Sequence, residues 1–312
     1  MAVEENRWGI LFCPKKSRKK SRKYWEKVQK ILDDRHVLYD FVQSENSSSV
    51  ERLVKMMINN GYKTIVIVGG DSALNDTVNC LMMTEKSVRD TISVGLIPYG
   101  IMNDFAKFWD IKESEVEKSI DTIIAHRIRK VDLGCIRYEN AKGEKCHRYF
   151  LNCINIGLVA TIMNLRNQTR HFFLGSRALS FLFTFILMIF QRMEYKMHLK
   201  INTDDIDRKV MTVCVGNARG YGQTPNAVPY NGTLDISVVY HAEMMQLIEG
   251  FYLLITNRIL NHRSVHPYRS RKVEVLELGK SLVSVDGRLM KTPAGAFTIG
   301  VEQEVINFLF PA

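Results

Sequence analysis

The sequence predicts an α/β domain followed by a β-rich domain, and three observations carry that expectation. In the first 133 residues, short branched-apolar runs alternate with helical patterns. After VDLG (131–134) most segments read as short strands joined by turns. At 312 residues the chain is also long enough to bury two cores.

In the first part, WGILFC (8–13) reads as a strand, followed by a basic stretch and a helix from about Ser21 to Asp34. HVLYDFV (36–42) is a second strand, and Ser47 to Asn60 is a helix that opens on serines and closes on Gly61. TIVIV (64–68) has no polar alternation, as expected of a strand buried on both faces. A helix from Ala73, the strand SVGLIP (93–98) and the amphipathic helix SEVEKSIDTIIAH (114–126) complete the alternation of a parallel sheet covered by helices. The expected division is 1–133 and 134–302, with the chain end 303–312 free to return to the first domain. RYFLNCINIG, YKMHLKIN, RKVMTVCVGN, TLDISVVY, KVEVLEL, SLVSVDG and AFTIGV are the strands of a sandwich, with helices intervening near 158–192 and 242–260.

Forty-three Lys+Arg against 33 Asp+Glu give a net charge of +10, which suits an anionic partner or simply a basic surface. MAVEENRWGI carries acids where a secretory signal needs a basic region and an apolar core, so a cytoplasmic chain is expected. Six cysteines without a C-x-x-C pair fit reduced thiols better than disulfides or zinc. ALSFLFTFILMIF (178–190) is shorter than the ~20 residues of a spanning helix. It reads as a buried helix, or as an interfacial or dimer-forming one. KKSRKKSRK (15–23), with seven cations in nine residues, is either a phosphate or headgroup clamp or a solvated loop. It lacks interleaved aromatics, which argues against nucleic acid.

Two turns follow strands of the parallel sheet, where such folds bind ligands. Gly69-Gly70-Asp71-Ser72 offers glycines for close backbone approach to an anion and a helix N-terminus for charge. Asp71 would supply a carboxylate, unless the turn is only tight and capped by Asp71. IPYGIMNDFAKFWDI (97–111) ends a strand at Pro98 and Gly100, and Asn103-Asp104 suits either a nucleotide or a helix cap.

Taken together the turns resemble those of the diacylglycerol kinase catalytic-domain family, which includes bacterial lipid kinases and sphingosine kinases. The family's G-G-D-G-T-L-N-E-V-V-N-G-L is met by Gly69, Gly70, Asp71, Leu74, Asn75, Val78, Asn79 and Leu81. Its P-x-G-T-G-N-D-F-A-R is met by Pro98, Gly100, Asn103, Asp104, Phe105 and Ala106, with Lys107 for Arg. Cys13-Pro14-Lys15, VDLG, FLNCINIGLVA (150–160), VGNARGYG (215–222), Pro225 to Asp235, and Asp286-Gly287 resemble further landmarks. The resemblance implies an N-terminal fold like that of NAD kinase and phosphofructokinase, ATP and Mg2+ in an interdomain cleft, and a lipid hydroxyl as acceptor. Arg166, Arg170, His171 and Arg177 ahead of the apolar segment, with Arg263, His266, Arg269 and Arg271 elsewhere, make a basic rim that suits transient contact with an anionic membrane surface. Asp71 carries over as a magnesium-placing or proton-removing acid, and Asp286 as a catalytic base. Without the resemblance, Asp286-Gly287 is a hairpin turn. Gly69, Gly70, Ser72, Asn75, Gly100, Asn103, Asp104 and Lys15 carry over as nucleotide contacts.

The departures gather at these turns. Ser72 and Ala73 replace Gly and Thr, and a positive φ at Ser72 would cost on the order of 1 kcal/mol. Ile101 and Met102 replace Thr and Gly. Asn226, Tyr230 and Asn231 stand where bacterial relatives hold a structural magnesium with aspartates, so that site is expected to be lost. A family member that binds lipid or nucleotide without phosphoryl transfer is the alternative.

Overall fold

The computed structural model describes residues 6–14, 18–100, 103–169, 194–219, 222–240, 242–290, 293 and 295–311. Lys15, Ile101, Met102 and the apolar segment 178–190 lie outside the described residues. The chain forms two compact units, Met1–Leu133 with Gln303–Ala312, and Gly134–Glu302.

The first unit is built on a parallel sheet. Strands β1 (Trp8–Phe12), β2 (Tyr39–Gln43), β3 (Thr64–Gly69) and β4 (Ser93–Pro98) lie in the order β2-β1-β3-β4. All pair in parallel. Every residue of β1, β3 and β4 is buried, which explains their unbroken apolar runs. Helix α1 (Arg18–Asp34) buries Trp25, Val28, Ile31 and Leu32 along one stripe. It starts three residues before the expected Ser21, so the end of the basic run is helical. Helix α2 (Ser47–Asn59) is capped by Asn46 rather than by a serine. The Asn46 side chain accepts from Ser49 N at 3.0 Å, and the Ser49 hydroxyl accepts from Asn46 N at 3.3 Å. Helices α3 (Asp71–Met82), α4 (Lys86–Arg89), α5 (Asp104–Phe108) and α6 (Val116–Ile124) complete the unit's alternation.

The chain end returns to this unit. Strand β16 (Phe297–Leu309) finishes parallel to β4, with Asn307 opposite Ser93 and Phe308 opposite Val94. Asp132, buried in β5 (Ile128–Glu139), fixes that return. Its Oδ1 accepts from Glu304 N at 2.8 Å, and Glu304 has φ 53°.

The second unit holds two antiparallel layers. One sheet runs β12 (Val265–Ser270), β11 (Leu234–Val239), β10 (Thr212–Gly216), β7 (Cys153–Gly157), β14 (Val283–Val285) and β15 (Arg288–Leu289). The other places the start of β16 beside β13 (Lys272–Glu277), β8 (Tyr195–Ile201) and β9 (Asp204–Val210). Strand β6 (Lys145–Phe150) forms a hairpin with β5. Their inward residues make one core, with Ile154, Val213, Ile236 and Val283 from the first sheet and Leu199, Ile206, Val275 and Ile299 from the second. Helix α7 (Leu158–Thr169) follows β7, and α8 (Met244–Ile255) follows β11. No helix among the described residues is long and apolar enough to cross a membrane.

Removing the Asp132 carboxylate takes a charged acceptor from the returning strand. Asp132→Ala is expected to lower stability by about 2 kcal/mol, with Asp132→Asn intermediate. Urea denaturation followed by tryptophan fluorescence checks this, and an unchanged midpoint would contradict the assigned role.

Candidate active site

In the order β2-β1-β3-β4 the chain reverses direction between β1 and β3. Open parallel sheets bind ligands at such a switch point, beyond the carboxyl ends of the strands. The loops leaving β1 and β3 meet there. Cys13 N donates to Val68 O at 2.9 Å, and a Cβ on Gly69 would lie 3.2 Å from the Cys13 Cβ.

The loops after β3 and β4 touch backbone to backbone. A Cβ on Gly100 would lie 2.7 Å from the Gly70 Cα and 2.4 Å from Asn103 Oδ1, so only glycine fits there. Tyr99 N donates to Gly69 O at 2.7 Å, continuing the ladder into the loops. Asp71 completes the junction. It is the first residue of α3, and its side chain caps the next helix rather than its own. Asp71 Oδ2 accepts from Asp104 N at 2.7 Å and Oδ1 from Phe105 N at 3.4 Å. Asn103, the N-cap residue of α5, has φ 51° and makes no side-chain cap bond, so Asp71 takes over the capping expected of Asn103-Asp104. The N-cap of α3 is Gly70, not Asp71.

Ser72 and Ala73 fit this geometry without strain. Both belong to the first turn of α3, two residues earlier than the expected start, and Ser72 is not among the residues with positive φ. Ala73 is buried against Gly69. Asn75 is buried one turn further on, where its backbone and side-chain oxygens both accept from Asn79 Nδ2. Asn103 Oδ1 and Asp104 Oδ2 are buried polar atoms with no hydrogen-bond partner among the described residues. Asp104 Oδ1 pairs with Lys107 Nζ at 3.1 Å. This leaves one carboxylate oxygen and one amide oxygen unsatisfied at the turn among the described residues.

Two tyrosines that the motif comparison passes over support the second loop. Tyr24 of α1 donates to Pro98 O at 2.8 Å and stacks on Tyr99 with centroids 4.2 Å apart. Burial raises the Tyr24 phenol well above its ordinary value, so it stays a donor. Tyr99 bonds Ser21 at 3.1 Å. Helix α1 is thereby seated against the loop, with Lys19, Lys20 and Lys23 exposed on it. Aromatic residues beside a helical basic run are the signal that would have found them.

In the second unit Asp286 sits in the two-residue turn between β14 and β15, with φ 44° at Asp286 and 75° at Gly287. Positive φ at both positions is what a type I′ hairpin turn requires, so the hairpin reading of this Asp-Gly holds. Its carboxylate is not idle. Oδ2 accepts from Leu151 N at 2.8 Å, and Oδ1 from Asn152 N at 3.0 Å and Cys153 N at 2.9 Å. Burial pushes the Asp286 pKa up to about 6, while the three N–H donors and the Arg148 charge pull the other way. Asn217 binds the same segment, donating from its side chain to Leu151 O at 3.0 Å and from its backbone to Asn152 O at 2.9 Å.

A resident metal would need several oxygen, nitrogen or sulfur ligands in one place. No group of three His, Cys, Asp or Glu side chains among the described residues could hold one. Asn226, Tyr230 and Asn231 offer amides and a phenol, which do not fit magnesium's preference for carboxylates. At the first site Asp71 and Asp104 are the available carboxylates.

Residues 7–136 match the family model for the diacylglycerol kinase catalytic domain, and 152–305 match the YegS C-terminal NAD kinase beta sandwich-like domain. The chain is 25% identical over 301 residues to a putative lipid kinase, YtlR, of Bacillus subtilis, covering 91% of this chain and 94% of that one. It is 21% identical over 237 residues to a diacylglycerol kinase of Staphylococcus carnosus, covering 75% and 72%. In fold it is similar to a diacylglycerol kinase structure from Bacillus anthracis, with TM-score 0.71 at 15% identity over 99% of this chain and 98% of that one. It is also similar to yeast NADH kinase, with TM-score 0.57 at 10% identity over 99% and 85%.

Gly100→Ala forces a Cβ onto backbone that cannot move aside, and is expected to destabilise by about 2 kcal/mol. Asp71→Ala removes the cap of α5 at about 1–2 kcal/mol. Both changes act on one junction, so the double variant should lose less than the sum. A double-mutant cycle by chemical denaturation checks this, and strict additivity would contradict the coupling.

Proposed function

The chain belongs to the diacylglycerol kinase catalytic-domain family, and from that premise we propose that it transfers the γ-phosphate of ATP to the hydroxyl of diacylglycerol or a related lipid. The observation that carries the reading is the paired loop junction at the switch point. Two glycine turns are held together there, with a helix N-terminus and unsatisfied oxygens at their tip. Such turns present backbone N–H groups to phosphates. Phosphoryl transfer then needs positioning, charge neutralisation and a base.

The residues take the following parts. Asp71 keeps the second loop against the first and so positions the nucleotide turn formed by Gly69, Gly70, Ser72, Gly100 and Asn103. Magnesium arriving with ATP would neutralise phosphate charge, with Asp71 and Asp104 as the nearest carboxylates of the turn. Asp286 serves as the base: the lipid oxygen bonds to the γ-phosphorus, the bond to ADP breaks, and the hydroxyl proton passes to the Asp286 carboxylate. A carboxylate with its pKa about 6 suits that task near neutral pH.

A second reading, binding without transfer, is favoured by one observation: both oxygens of Asp71 and both of Asp286 are already engaged by backbone donors. The two readings part on one experiment. Purified protein with γ-labelled ATP, magnesium and mixed lipid extract should yield a labelled lipid, and Asp286→Asn should lose it while keeping the ATP-dependent thermal shift. A thermal shift without product would leave the binding reading standing. Neither product nor shift would sink both.

The Asp286 pKa also sets a pH signature. Between 3.8, its ordinary value, and about 6 the folded chain holds a proton that the unfolded chain has released. This group's contribution to stability is therefore full below 3.8, is lost as pH rises to about 6, and stays level above. Activity should run the opposite way, rising through about 6 as the base ionises. Parallel profiles of labelled product and melting temperature check this. Activity that is flat across that interval would contradict the assignment of Asp286 as base.

A further inference from the structure

Helix α8 carries an apolar face that stays exposed among the described residues of the second unit. Met245, Ile248 and Tyr252 are 76%, 45% and 66% exposed, and their spacing puts them on one side of the helix. The opposite side is seated: Leu247 packs on the cluster of Leu158, Met211 and Ala242. Exposure of three large apolar side chains on one helical face marks a contact surface rather than scatter.

Charge says what kind of partner the face fits. Helix α8 has an exposed acid at Glu249 and opens on Glu243, and from 250 to 273 the chain has no acidic residue and five cations. Arg269 and Lys272 are paired with Asp235 and Glu274. Arg258, just past the C-terminal end of α8, and Arg263 are exposed and have no carboxylate partner among the described residues. Arg263 follows His262, whose Nε2 lies 2.9 Å from Gln246 O and so holds this turn against the helix. An apolar helical stripe with unpaired arginines at its edge matches a surface that is anionic outside and apolar beneath.

The direction of α8 ties this face to the Asp286 end of the sheet. Leu247 sits near Leu158, where β7 ends, while a Cβ on Gly222 would lie 3.4 Å from Leu254 O. Gly222 belongs to the loop that begins at Asn217, the residue bonded to Leu151 and Asn152. The helix thus runs toward the turn that holds Asp286.

We propose that the Met245, Ile248 and Tyr252 face of α8, edged by Arg258 and Arg263, is the surface by which this protein lies on an anionic phospholipid bilayer. It rests on the lipid-kinase reading for its purpose, but its test does not need catalysis. Sucrose-loaded vesicles of phosphatidylcholine, with and without phosphatidylglycerol, are sedimented with the protein. The unaltered chain should partition onto the phosphatidylglycerol vesicles. Ile248→Asp with Tyr252→Asp, and separately Arg258→Glu with Arg263→Glu, should each weaken partition about tenfold. All four positions are exposed, so melting temperatures should be unchanged.

Equal binding by the variants, or none by the unaltered chain, overturns the proposal. So does a dimer in light scattering that Ile248→Asp with Tyr252→Asp converts to monomer, because the face would then belong to a second copy. A lipid-phosphorylation assay in detergent micelles distinguishes the two readings. No product with vesicle binding intact rejects the kinase and leaves the surface, and product with no variant effect on vesicles does the reverse.

Discussion

The candidate site depends on one contact, the approach of Gly70 and Gly100. Two strand-ending loops lie this close because Gly100 carries no Cβ, and the 2.7 Å gap between a notional Gly100 Cβ and the Gly70 Cα leaves no room to relax. Everything at the tip is arranged around that contact. Asp71 can reach the backbone of α5 because the loops touch, α5 starts at Asp104 because Asp71 caps it, and Asn103 accepts a left-handed conformation between them. Tyr24 and Tyr99 then brace the second loop against α1. A turn fixed by backbone packing keeps its shape while side chains at its tip vary, which explains how Ser72 and Ala73 are accommodated in the first turn of α3.

Three aspartates share one physical role across the two units. Asp71, Asp132 and Asp286 each receive backbone N–H groups from a segment remote in sequence: 33, 172 and about 134 residues away. A carboxylate bonded to backbone donors is worth more than a neutral acceptor, and it dictates where the donor segment lies. Asp132 decides how the chain end rejoins the first sheet. Asp71 and Asp286 decide the form of the turns at which chemistry is proposed. For Asp286 the two tasks combine. Burial raises its pKa to about 6, and its N–H partners hold the 151–153 segment in place.

Much of this was legible in the residues. The unbroken apolar run at 64–68 announced a strand buried on both faces, 93–98 read as a further strand, and both formed. The glycines at 69, 70 and 100 marked the loops correctly, and at Gly100 close backbone approach demands one. Asp286-Gly287 read correctly as a turn. What stayed hidden was tertiary. Nothing local says that Asp71 caps the helix at 104 instead of its own, that Asn46 rather than a serine opens α2, or that Glu304 answers to Asp132. These bonds join positions that only the folded sheet brings together. The strain that a positive φ would bring at Ser72 does not arise, because the helix begins at Asp71 and the position lies in its first turn. The exposed stripe on α8 was hidden too, since an apolar helix reads as core until its neighbours are known.

The junction of the 69–72 and 98–104 loops is proposed to receive a nucleotide. Hydrogen–deuterium exchange followed by mass spectrometry, with and without ATP and magnesium, tests it without requiring turnover. The account predicts slower exchange in peptides spanning 66–81 and 97–109, with Gly100→Ala abolishing the change. Protection confined to other peptides, or none at saturating ATP, would contradict it.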